Sequence, residues 1–223
     1  MKKLAMFDMD GVLFDTMPLH VKSWRQIVLN LTGKEYPPEF FYANEGRNCF
    51  GTISAIFGEE KAKTIDCDAL YLKKTEIFNT LGPIETIPNA IDVIKALKER
   101  GMKAIVVTGS ANPQLIQRIE GSYPGLFDLE YTISSKDVIH GKPAPEPYLK
   151  GLEKAGGYAV EDAVVIENSP LGVRAGHLSG CYTIAVNTGP LPDKVLLDEG
   201  ADILFHSMSE LLEAISNNRI NLD

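Results

Sequence analysis

Cysteine is scarce in this chain, positive charge is in deficit, and no apolar run is long enough to cross a bilayer as a helix. The three thiols, Cys49, Cys67 and Cys181, are scattered, with no Cys-x-x-Cys or Cys/His pattern, and their odd number argues against a disulfide framework. Lys and Arg number 22 against 30 Asp and Glu, so a net charge of −8 gives no pull on nucleic acid or an anionic membrane, both of which are bound by excess basic residues. The expected partner is a small molecule, with no nucleic acid and no membrane, and the protein itself is expected to be a monomer or a weak oligomer. A basic start, Met1-Lys2-Lys3, precedes an apolar stretch that Asp8 and Asp10 break too early for a signal sequence, so a cytoplasmic location is expected. Repeats, low-complexity tracts and long linkers are also missing.

Apolar residues make up 44% of the 223 positions, enough for one ordinary core and a modest insert. Their spacing predicts a strand over 4–7 and then helices over 18–31, 38–42, 52–57 and 59–80, with no comparable strand signal between Asp15 and Thr86. From Pro88 onward the pattern alternates. Helices are predicted over 89–100, 113–120, 145–155, 171–178 and 208–215, with strands over 103–107, 129–134, 163–166, 182–186 and 201–205. Such alternation predicts an α/β fold: a three-layer α/β/α core with a parallel sheet, built from residues 1–14 and 87–223. Residues 15–86 are predicted to form an inserted α-helical cap that closes over the crevice at the strand ends and excludes water.

Three strand-like runs end in polar residues, and a proline-stiffened loop carries a fourth polar group. Leu4 to Phe7 runs into Asp8 and Asp10, with Gly11 marking a turn. Taken alone, the two carboxylates have two readings, a loop cap or a metal site. The run Ala104 to Val107 ends in Thr108-Gly109-Ser110, where a glycine lets backbone approach a ligand closely. Lys142 sits in the proline-stiffened segment Gly141-Lys142-Pro143-Ala144-Pro145, and Ala163 to Ile166 leads into Glu167-Asn168-Ser169-Pro170, oxygen ligands followed by a helix start. In a parallel sheet the carboxyl ends of strands line one crevice, so these groups are expected to assemble a single site.

In this order the segments resemble the four motifs of the haloacid dehalogenase superfamily. More narrowly, the stretch from Asp8 to Thr16, His20, the Lys142 segment and Glu167 to Gly172 resemble its β-phosphoglucomutase-like subfamily, over nearly the whole chain. The resemblance implies a phosphoryl-transfer enzyme with an α-helical cap. Asp8 is then the nucleophile that forms an aspartyl phosphate, and Asp10 the general acid and base. Lys142 neutralises Asp8 and the phosphoryl group, and Thr108 with the amides of Met9 and Gly109 binds its oxygens. Ser110, Asn112, Arg47 and His20 complete the expected substrate-binding set. The implied cofactor is Mg²⁺, held by Asp8, the Asp10 carbonyl and Asn168, with Glu167 close by or acting through water.

Two positions depart from the subfamily's usual pattern. Most relatives carry Asp where this chain has Asn168, which removes one negative charge from the metal site. In the cap motif Ala43-Asn44-Glu45-Gly46-Arg47, Glu45 stands where sugar phosphomutases have a substrate-binding lysine. Glu45 with Asn168 resembles bacterial members that hydrolyse inorganic pyrophosphate, in which a cap glutamate reaches Mg²⁺; an ordinary solvated charge is the competing reading. Expected function is hydrolysis of a small phosphorylated metabolite or pyrophosphate, with β-phosphoglucomutase or a noncatalytic phosphometabolite-binding protein as alternatives.

Overall fold

A computed structural model describes residues 1–47, 49–110 and 115–222. Its centre is a parallel five-stranded sheet built from β1 (Leu4–Phe7), β2 (Lys103–Val106), β3 (Ala163–Glu167), β4 (Tyr182–Val186) and β5 (Ile203–Phe205), in the order β2-β1-β3-β4-β5. β1 is an inner strand, with Phe7 in register with Val106 on one side and Ile166 on the other. Successive side chains on a strand point to opposite faces, and β1 shows the consequence directly. Ala5 and Phe7 join a core layer with Val93, Ile94, Leu97, Leu211 and Ile215, whereas Leu4 and Met6 join Ile105, Tyr148, Leu152 and Val165 on the other face. Both faces are covered, as an all-parallel sheet requires.

The first face is covered by α6 (Ala90–Glu99), α7 (Leu115–Ser122) and α11 (Met208–Ser216), the second by α8 (Glu146–Lys154) and α9 (Pro170–Ser179). Between β1 and β2 lie α1 (Met17–Thr32), α2 (Pro38–Ala43), α3 (Cys49–Phe57), α4 (Glu59–Ala62) and α5 (Cys67–Thr80), packed round their own apolar cluster of Met17, Val21, Trp24, Ile27, Phe41, Ile53 and Leu70. Pro18 opens α1 where its missing N–H costs nothing, and Gly33, at φ 66°, ends it by donating to the Leu29 carbonyl. The two chain crossings between helices and sheet pair with each other: Asp15 N donates to Glu85 O at 2.9 Å and Ile87 N to Leu13 O at 2.8 Å.

Three elements differ from expectation. The helix expected over 59–80 breaks after α4, because the Asp66 carboxylate caps a new start by accepting from Ala69 N at 3.0 Å. The strand expected over 129–134 is reduced to a 3-10 turn, Leu129–Tyr131, and one bridge between Ile133 and Val107, since Asp137 captures the Ser134 amide at 2.8 Å and turns the chain away. A short helix, α10 (Asp193–Asp198), occupies a stretch for which no element was expected; its one buried side chain, Leu196, gives no amphipathic stripe to read. No helix among the described residues is long and apolar enough to cross a membrane.

Candidate active site

Asp8 is the first residue beyond β1, and its amide still bonds to Ile166 O at 3.0 Å, so the sheet itself fixes the position of the carboxylate. Thr108 lies just past β2 and is likewise anchored, its amide donating to Ile133 O at 2.9 Å while its Oγ1 accepts from Ser110 N at 3.1 Å. Glu167 ends β3, and Ser169 begins α9 as a cap accepting from Gly172 N at 3.1 Å. The strand ends therefore meet at one edge, as the apolar runs imply.

Lys142 reaches this edge from the loop before α8. The two oxygens of Glu146 accept from the amides of Ile139 and His140, each at 2.8 Å, which pins that loop. The ammonium, 1% exposed, donates to Asp8 Oδ1, to Glu167 Oε1 at 2.6 Å and to Val107 O at 3.2 Å. Burial works against its charge, but the two carboxylates override it and hold Lys142 well above the usual lysine range. Burial above all, with Glu167 and Asp10 adding to it, pushes Asp8 up to about 8 against the pull of Lys142.

Asp10 is held differently. Thr16 Oγ1 donates to its Oδ1 at 2.5 Å, and His20 Nε2 approaches the same oxygen at 3.4 Å. Burial opposes ionisation, yet the His20 contact and then Thr16 bring Asp10 down to about 2. His20 is lowered by burial and by the neighbouring Lys74, whose ammonium bonds to His20 Nδ1. That bond makes Nδ1 the acceptor, so neutral His20 presents Nε2–H to Asp10. Lys74, Thr16 and Tyr71 were not anticipated from the sequence. A signal existed for Lys74, which falls with Leu70 and Phe78 on the buried stripe of α5, a cation where the helical period calls for an apolar residue. Tyr71, raised chiefly by burial, bonds through its hydroxyl to Ser110 across the junction of helices and sheet.

The segment after α2 folds down onto the strand ends. Both oxygens of Glu45 lie 3.2 Å from Asn168 Nδ2, and a Cβ on Gly109 would stand 3.1 Å from the Gly46 carbonyl. Glycine is required at position 11 too: its φ is +81°, and a Cβ there would come within 2.1 Å of Asn168 Nδ2. The cavity so enclosed measures about 100 Å³ and is lined by Asp8, Asp10, His20, Glu45, Arg47 and Thr108, with Gly109, Ser110 and an apolar wall of Met17, Trp24 and Phe41. Arg47 is steadied by Asn44, its Nε donating to Oδ1 at 3.0 Å. Met9 sends its side chain into the core beneath. Asn112 lies outside the described residues.

A hard, oxygen-seeking cation fits this donor set. Asn168 Oδ1 is buried without a hydrogen-bond partner among the described residues, a costly arrangement that a cation would relieve. Burial first, and then Asp8, Glu167 and Asp10, raise Glu45 well above the usual carboxylate range, so the site is short of positive charge. Among the described residues no three Asp, Glu, His or Cys side chains converge to hold a metal by themselves. The fit therefore rests on mixed oxygens: Asp8, the Asp10 carbonyl, the Asn168 amide and Glu45. Glu167 is expected close to the metal or acting through water. Its Oε2 accepts from the amides of Asn168 and Ser169 at 2.9 and 3.1 Å and from Ser169 Oγ at 3.0 Å, and its Oε1 accepts from Lys142 and from Tyr148 Oη at 2.8 Å, so it braces Lys142 instead of facing the cavity.

Residues 5–186 match the family model of the haloacid dehalogenase-like hydrolases. A solved structure from Bacteroides vulgatus, described as a candidate beta-phosphoglucomutase, is 42% identical with a TM-score of 0.89, covering 98% of this chain and 89% of that one. Hexitol phosphatase A of Escherichia coli (strain K12) is 28% identical over 208 residues, 92% of this chain and 91% of its own length. Fructose-1-phosphate phosphatase YqaB of the same organism is 30% identical over 185 residues, 81% and 94% of the two lengths.

Proposed function

Because this chain belongs to the haloacid dehalogenase-like hydrolase family, we propose that it hydrolyses a compact phosphorylated substrate by way of a phosphoryl group carried on Asp8. The observation that carries this reading is the buried Lys142–Asp8 pair with Asp10 beside it in the same enclosed cavity. In the first half-reaction an Asp8 oxygen attacks phosphorus and the bond to the leaving oxygen breaks, while Asp10, ionised in the free site, takes up a proton as the substrate binds and delivers it to that oxygen. In the second, Asp10 takes a proton from water as the water oxygen attacks the phosphorus of the aspartyl phosphate, which frees phosphate and restores Asp8. Lys142 favours the ionised form of Asp8 against the effect of burial and offsets the charge that gathers on the phosphoryl oxygens, where Thr108 and the Gly109 amide donate.

Mg²⁺, when held by Asp8, the Asp10 carbonyl, Asn168 and Glu45, supplies positive charge to the phosphoryl group and makes the crowd of carboxylates tolerable. Residues 15–86 act as the lid, with the segment around Glu45 seated on the core when the cavity is closed. Within this reading pyrophosphate is the sharpest candidate. Glu45 puts an anion where a sugar phosphate would need a cation, and a substrate with more charge of its own, bound together with a cation, fits that exchange better. The Escherichia coli relatives named for hexitol and fructose 1-phosphate keep phosphomonoesters in the panel. The Bacteroides vulgatus neighbour favours a second reading, β-phosphoglucomutase, which would return the phosphoryl group from Asp8 to a sugar.

The test is a panel of pyrophosphate, simple phosphomonoesters and β-glucose 1-phosphate assayed with Mg²⁺, against Asp8→Asn as control. Phosphate release that Asp8→Asn abolishes supports the hydrolase, and formation of glucose 6-phosphate supports the mutase. Equal turnover by wild type and Asp8→Asn sinks both.

A further inference from the structure

One ammonium, that of Lys142, is shared between two carboxylates, and only one of them, Asp8, has to react. The other, Glu167, is fully buried and held on all sides. Three donors from Asn168 and Ser169 take its Oε2 and fix the carboxylate's orientation, and Gly172 leaves the space that Oε1 occupies, since a Cβ there would stand 1.8 Å away. Oε1 is therefore aimed permanently at Lys142. Left with that single partner, it would draw the ammonium toward itself and away from Asp8.

Tyr148 intervenes. It lies in the first turn of α8, six residues beyond Lys142 and with no exposed surface, and its hydroxyl donates to the same Oε1 at 2.8 Å. The ring also closes over the ammonium, its centroid 5.1 Å from Lys142 Nζ, which keeps water from the lysine stem and adds cation–π attraction. We propose that Tyr148 is a positioning residue for phosphoryl transfer: its hydroxyl shares the Glu167 oxygen, so that Lys142 stays directed at Asp8. The proposal rests on Asp8 being the nucleophile. A hydrogen bond to a charged acceptor in a dry site is among the stronger kinds, and its removal shifts the balance between the two carboxylates without removing any contact to the substrate itself.

Tyr148→Phe removes the hydroxyl and keeps the ring. The expected result is a fall in kcat of about tenfold, the scale set by one hydrogen bond to a charged group, with KM within about twofold of wild type. A second reading comes from the pair Tyr148→Phe and Glu167→Gln. If Tyr148 acts through Glu167, the double variant is no slower than Glu167→Gln alone, whereas a packing defect would multiply the two losses. Wild-type kcat in Tyr148→Phe, a loss confined to KM, or multiplied losses would each overturn the proposal. Should Tyr148→Phe fail to fold, Glu167→Gln carries the test: with the competing charge gone Lys142 is left to Asp8, so kcat must not fall, and a large fall in kcat overturns the proposal. Asp8→Asn separates this inference from the reading beneath it. If Asp8→Asn is inactive and Tyr148→Phe is fully active, only the positioning role fails; if Asp8→Asn retains wild-type turnover, the nucleophile assignment fails first.

Discussion

At the scale of single residues, charge placement explains most of the site. Glu45 is half-buried against Asn168 with three other carboxylates nearby, and an ordinary solvated helix-end charge would not sit there. Glu45→Ala is therefore expected to lower pyrophosphate turnover by a larger factor than turnover of a simple phosphomonoester, measured as kcat/KM for each at saturating Mg²⁺. Equal factors would remove the case for a cation held from the lid. Asp8, Asp10, Thr108 and Lys142 were readable from the chain because each follows an apolar run or lies in a proline-stiffened loop, where a polar side chain needs a reason to be. Tyr148 was not readable. An aromatic residue at helical spacing is ordinarily core, and here it is core; what gives it a role is a hydroxyl bond to a residue 19 positions away, which no local pattern encodes. The hydrogen bonds of Glu167 were not readable for the same reason, since its partners come from three separate segments.

Elements follow local chemistry where the period is strong and depart from it where one side chain outbids the period. The sheet strands are short, but their buried runs are unmistakable, and the alternation with amphipathic helices defined the parallel core. The break between α4 and α5 turns on Asp66, whose capping bond was hidden inside a continuous helical pattern. Asp66→Ala should accordingly destabilise the protein by about 1 kcal/mol through loss of a helix cap, read from urea midpoints. Ser169 makes a sharper case. It caps α9 through Gly172 N and also donates to Glu167 Oε2, so Ser169→Ala removes two buried hydrogen bonds at once. An expected cost of about 2–3 kcal/mol exceeds that of a cap alone. A loss no larger than that of Asp66→Ala would show that the Glu167 contact adds nothing to stability.

For the molecule as a whole, the partly buried chain Asp10–His20–Lys74 ties the core to the helical insert, and the charge state of Lys74 links folding to pH. Lys74 is 3% exposed, enclosed by His20, with the Phe78 ring 4.8 Å and the Tyr71 ring 5.5 Å from its ammonium, and burial pushes it down to about 8 from 10.5. Below pH 8 the lysine is charged in folded and unfolded chains alike, and it makes no contribution to pH dependence. Between pH 8 and 10.5 the unfolded chain keeps a proton that the folded one has lost, so stability rises with pH across that window. The full gain is on the order of 3 kcal/mol, from a shift of about 2.5 pH units at 1.36 kcal/mol each. Lys74→Met lacks the titrating group while filling similar space, so the stability difference between wild type and Lys74→Met should move in favour of wild type from pH 8 to pH 10. Denaturant midpoints for the two proteins at both pH values measure this, and subtracting one protein from the other cancels groups that titrate in both. A difference that stays constant across the window would mean that Lys74 keeps its proton in the folded protein, and the link between Asp10 and the insert would then be a permanently charged one.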